Sequence, residues 1–101
     1  MHRDQALAIV YGAIDAVNRQ QPAAQRLPKS PDAIIVGPSG RLDSLGIVNL
    51  ILAIEERALD AIGEPVRLLD EGSLIDEDGP FRNVESLARL LETLSTISKK
   101  P

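Results

Sequence analysis

The sequence predicts an all-α protein, a small four-helix bundle with three longer helices, one short third helix and a long first loop. Apolar residues recur at intervals of three and four in three separate stretches, and no stretch alternates polar and apolar residues as a half-buried strand would. The chain has 101 residues, 44% hydrophobic and 26% charged, enough for one core and too apolar for a disordered chain. A single domain over residues 1–101 is expected, with its core from about 4 to 95.

The first helix is expected from Asp4, as N-cap, to Gln20, because Leu7, Val10, Ile14 and Val17 fall on one helical face. Pro22, Pro28 and Pro31 then exclude regular structure and give the long loop. Within it Ile34, Ile35 and Val36 form an apolar run closed by Gly37, Pro38 and Gly40, too short to found a sheet and suited to packing the loop onto the bundle. The second helix is expected to begin at Asp43 and Ser44 and to run to Ile62, before Gly63 and Pro65. Its apolar residues wrap well beyond one stripe, since from Ile47 to Ile54 Asn49 is the sole polar residue. Gly72, Gly79 and Pro80 break up the segment from Val66 to Phe81, leaving room for a short third helix near Asp70 to Ile75. The fourth helix follows Asn83 as N-cap, with Val84, Leu87, Leu90, Leu91, Leu94 and Ile97 at helical intervals and Lys99 and Lys100 at its negative end.

Composition narrows the function. Eleven Lys and Arg against 15 Asp and Glu give a net charge of -4, which argues against nucleic acid or an anionic membrane surface as partner. Two aromatics, Tyr11 and Phe81, are too few for a base-stacking platform. The chain has no cysteine, so disulfides, Cys-ligated metals and a thiol nucleophile of its own are excluded. Its one histidine, His2, is near the terminus and cannot build a relay. Gly46 follows Ser44 by two positions, but Leu42 stands where a serine-hydrolase elbow needs the other glycine. Gly79 arrives too early after Asp76, Glu77 and Asp78 for a calcium loop. No metal site and no catalytic residue of the chain's own are expected. Without a signal-peptide pattern or an uncharged 18-residue stretch, a cytoplasmic protein is expected, monomeric in its bundle form.

The stretch Leu42 to Glu56 reads LDSLGIVNLILAIEE. A hydroxyl stands at a loop-to-helix junction beside an acidic residue, which in isolation is ordinary capping chemistry. In this context the stretch resembles the phosphopantetheine-attachment segment of the acyl carrier protein family, with matches at Asp43, Ser44, Leu45, Val48, Leu50, Ala53, Ile54, Glu55 and Glu56. The resemblance extends over roughly Asp4 to Leu94 and includes Phe81 to Leu87 opening the last helix. It implies an acyl-carrier-like four-helix bundle in which Ser44 bears a covalent 4'-phosphopantetheine arm derived from coenzyme A, whose thiol holds acyl groups as thioesters. A phosphate at a helix N-terminus meets unpaired N–H groups and a partial positive charge.

The resemblance further implies a phosphopantetheinyl transferase (holo-acyl-carrier synthase), an acyl-loading ligase and acyl-processing enzymes as partners. Asp43 is expected to help with the magnesium ion at the transferase interface and Leu45 to flank the base of the arm. Ile47, Val48, Ile51, Glu55 and Glu56 are expected on the partner surface. Gly46 and Asn49 stand where many fatty-acid carriers have acidic residues, so recognition is expected to lean on apolar contact, as in a peptidyl or aminoacyl carrier of a dedicated pathway. A second reading of the same helix is an unmodified helical adaptor, which has no need of Ser44.

Overall fold

The computed structural model describes residues 1–73 and 75–98. Its elements are α1 (Arg3–Asn18), a 3-10 turn at Ala23–Gln25, α2 (Ser44–Ile62) and α3 (Val84–Ser98). Among the described residues there is no strand, and a single antiparallel bridge joins Ile34 to Asn83. The protein is thus mostly helical. No helix among the described residues is long and apolar enough to cross a membrane.

α1 is the central element, packing against both α2 and α3. Its expected stripe, Leu7, Val10, Ile14 and Val17, is buried together with Ala6, Ile9 and Ala13. A helix with two neighbours must bury more than one narrow seam, and alanines at the close approaches allow it. The boundaries differ from expectation at both ends. α1 begins at Arg3 with His2 at the N-cap position, making no side-chain cap. Asp4 lies in the first turn, where a carboxylate favours the helix dipole without capping it. The helix ends at Asn18, two residues short of Gln20, because the Asn18 amide turns to the loop. It donates to the Leu27 carbonyl and accepts the Leu27 N–H, both at 2.9 Å.

The Ile34 to Val36 run packs the loop down as expected, with Ile35 and Val36 buried and Ile34 partly exposed. Its backbone docks beside the start of α3. Ile35 N–H donates to Arg82 O at 2.9 Å, Val84 N–H to Ala33 O at 3.1 Å and Glu85 N–H to Pro31 O at 2.8 Å. Asn83 caps α3 through a reciprocal pair: its side-chain oxygen accepts the Ser86 N–H at 2.8 Å while its own N–H donates to Ser86 Oγ at 3.1 Å. Arg3 bridges α1 to the first turn of α3 with two bonds to Glu85, at 3.1 and 2.7 Å.

Helix α2 stops at Gly63, whose positive φ of 75° ends the helix as a left-handed cap, its N–H donating to Leu59 O at 2.8 Å. The expected short helix near Asp70 to Ile75 is absent among the described residues, which form turns and irregular chain from Gly63 to Arg82. A helix there would have little to bury, since Leu69 and Ile75 are exposed. Val66 and Leu68 instead insert into the core from irregular chain, and Phe81 is fully buried. Leu74, Lys99, Lys100 and the side chain of Ile97 lie outside the described residues. The buried residues of the three helices and of the loops form one core.

Candidate functional site

The site begins with the turn that leads into α2. Gly40 N–H closes a turn onto Gly37 O at 2.9 Å. A Cβ on Gly40 would stand 2.4 Å from the Ile35 carbonyl oxygen, so glycine alone fits there. Leu42 then drops into the core and Asp43 adopts extended backbone as the N-cap. Its carboxylate accepts the Gly46 N–H at 2.8 Å, and its carbonyl accepts the Ile47 N–H at 2.9 Å.

Ser44 is the first residue of α2, not its cap. It is exposed, and its hydroxyl has no hydrogen-bond partner among the described residues. Leu45 beside it is 68% exposed. A cleft of about 440 Å3 adjoins Ser44 and Asp43, walled by Ile35, Val36, Ile47 and Ile75 and bordered by Glu77. Ile75 is 82% exposed, so the two most exposed large apolar side chains among the described residues both flank this serine.

Along α2 the expected surface separates into groups. Glu56 and Asn49 are exposed and Val48 is half-buried. Ile47 and Ile51 are buried, at 4% and 0% exposure, which removes them from the partner surface: both face the core, and Ile47 reaches only the wall of the cleft. Gly46 is buried as well, not turned to partners. A Cβ there would lie 3.2 Å from the Leu42 side chain and 3.3 Å from the Asp43 carboxylate, so its small size serves the cap and the packing of Leu42. Glu55 is half-buried and holds the chain after α2, accepting the N–H of Leu68 at 2.7 Å and of Leu69 at 3.3 Å.

The exposed apolar residues of α2 are instead Leu45, Leu52 and Leu59. Their spacing of seven puts them on one face, a signal present in the sequence but hidden among the other apolar residues of this helix. No local spacing relates Ile75 and Glu77 to Ser44, because only the folding back of the segment after α2 brings them there. Among ionisable groups, Glu85 is held below the usual glutamate range, chiefly by the hydrogen bond from Arg3 and against its own desolvation. That pair lies at the start of α1 and α3, not on the α2 cap.

Compared with known proteins, the chain matches no family model, no curated protein and no solved structure.

Proposed function

We propose that this chain is a non-catalytic acyl carrier protein, modified at Ser44 by a phosphopantetheinyl transferase that uses coenzyme A. The observation that carries the reading is an exposed and unbonded Ser44 hydroxyl at the first residue of α2, inside the Asp43-Ser44-Leu45 motif. Because the Asp43 carboxylate already serves as the cap, the serine oxygen is free to form a phosphodiester without cost to the helix. The residues present fit such a group. The N–H groups of Ser44 and Leu45 precede the first intrahelical bonds and have no acceptor among the described residues, so they and the helix dipole favour an anion at this end.

When bound, the arm supplies the thiol that a cysteine-free chain lacks, and holds an acyl group as a thioester. The chain's own residues anchor and orient it. Asp43 fixes the helix start and is the residue proposed to face the transferase and its magnesium ion, while Leu45 and Val48 offer apolar contact beside the anchor. In this reading the segment from Val66 to Phe81 takes the place of the short helix of the four-helix carrier pattern, and the carrier meets its transferase, loading ligase and processing enzymes in the cytoplasm.

The test is a mass spectrum after incubation with coenzyme A and a promiscuous transferase. One phosphopantetheinyl group is expected on wild type, located to Ser44 by fragmentation and absent from Ser44→Ala. An unchanged wild-type mass with an active transferase would sink the reading. It would favour the unmodified adaptor, for which the exposed row of Leu45, Leu52 and Leu59 is the supporting observation.

A further inference from the structure

We infer that the cleft beside Ser44 selects a short aliphatic cargo ending in a cationic amine, such as an aminoacyl group, over neutral or carboxylated acyl groups. The inference rests on the carrier reading, since the cargo reaches the cleft only if it is tethered at Ser44.

The walls of the cleft are aliphatic, from Ile35, Val36, Ile47 and Ile75, and none of its lining residues is aromatic or basic. Its ionisable lining residues are Asp43 and Glu77. Asp43 is engaged by the Gly46 N–H. Glu77 has no hydrogen bond or ion pair among the described residues. It lies over Gly37, whose positive φ of 116° and missing side chain let the carboxylate approach: a Cβ on Gly37 would be 3.0 Å from Glu77 Oε1. Glu77 also lines a neighbouring depression together with Arg82, whose guanidinium makes no ion pair with it and donates instead to the Gly79 carbonyl at 3.1 Å.

A hydrocarbon tail laid across this cleft would strip water from Glu77 and return no hydrogen bond, which is unfavourable for a carboxylate. A cargo ending in a carboxylate would face two negative charges. An ammonium group on a chain of two or three carbons satisfies both surfaces, its methylenes on the aliphatic walls and its charge beside Glu77. Tethering at Ser44 makes even a weak contact effective, because the local concentration of a tethered group is on the order of millimolar.

The experiment compares four forms of the full chain made with a promiscuous transferase: the free-thiol form from coenzyme A, and the β-alanyl, butyryl and malonyl forms from the corresponding coenzyme A thioesters. The serine oxygen displaces adenosine 3',5'-bisphosphate in each case, so the four differ only in cargo. Amide NMR signals of Val36, Ile47, Ile75 and Glu77 are expected to move on going from the free-thiol to the β-alanyl form and to stay in place in the butyryl and malonyl forms. The movement should vanish in Glu77→Gln and, for wild type, near 1 M salt, where screening acts within about 3 Å. Equal movement in the butyryl form would show a hydrocarbon site, and larger movement in the malonyl form would show an anion site. Unmoved signals in all three loaded forms would show an unoccupied cleft, and each of these outcomes overturns the inference while leaving the carrier reading intact. A mass unchanged by the transferase overturns both.

Discussion

The Glu55 carboxylate, on the fourth turn of α2, accepts the backbone N–H of Leu68 at 2.7 Å and that of Leu69 at 3.3 Å. These bonds hold the chain that returns from α2 while Leu68 enters the core with no exposed surface. An acidic residue expected on the partner surface therefore organises the protein's own loop. Glu55→Ala should destabilise the fold by about 1–3 kcal/mol, the cost of leaving such N–H groups unpaired. The amide of Leu68 should also exchange with deuterium faster than amides of α1. Unchanged exchange at Leu68 would show that the loop is held by its apolar contacts alone.

At the start of α2, Asp43 carries the cap and the neighbouring Ser44 does not. Asp43→Ala should cost about 1 kcal/mol, because the Gly46 N–H loses its acceptor. Ser44→Ala should change stability by less than about 0.5 kcal/mol, since the hydroxyl has no partner to lose. Thermal melts of the two variants check this. A larger loss in Ser44→Ala than in Asp43→Ala would reverse the assignment of the cap.

Core and surface residues of α2 should likewise behave differently. Ile51→Ala and Leu87→Ala, both at fully buried positions, should cost about 2–5 kcal/mol by loss of contact and residual cavity. Leu45→Ala and Leu52→Ala, at 68% and 46% exposure, should melt within about 1 kcal/mol of wild type. If the carrier reading holds, these two should lower the rate of modification by the transferase or of loading by its ligase, because an exposed apolar anchor contributes through contact made only in the complex. Wild-type rates in both leucine variants would remove this face from recognition.

The bidentate contact between Arg3 and Glu85 predicts a pH signature. Arg3 lowers the pKa of Glu85 in the folded protein. Its stabilisation is therefore fully present above the unfolded glutamate value of about 4.3 and is lost as the pH falls through the lower folded value. The difference in melting temperature between wild type and Glu85→Gln should be constant from pH 7 to about 5, shrink below about 4.3, and diminish in high salt because both side chains are partly exposed. A difference that grows on acidification would contradict the ion pair.

The three long helices, the inward faces of α1 and α3, the Asn83 cap and the Asp43-Ser44 start of α2 are legible in the amino-acid sequence. Each follows from local spacing or from capping within three or four residues, and local terms act whatever the rest of the chain does. It did not determine which side of α2 faces out, because this helix is apolar nearly all round and periodicity has no polar face to detect. Packing against α1 decided that, burying Ile47 and Ile51 and leaving Leu45, Leu52 and Leu59 exposed. Nor could it determine the segment after α2. Glu55 is 13 residues from the Leu68 N–H it accepts, and Ile75 and Glu77 reach the Ser44 cleft across more than 30 residues of chain. Such long-range pairings form because the core draws in Val66, Leu68 and Phe81, and no pattern of neighbouring residues encodes where that draws the residues between them.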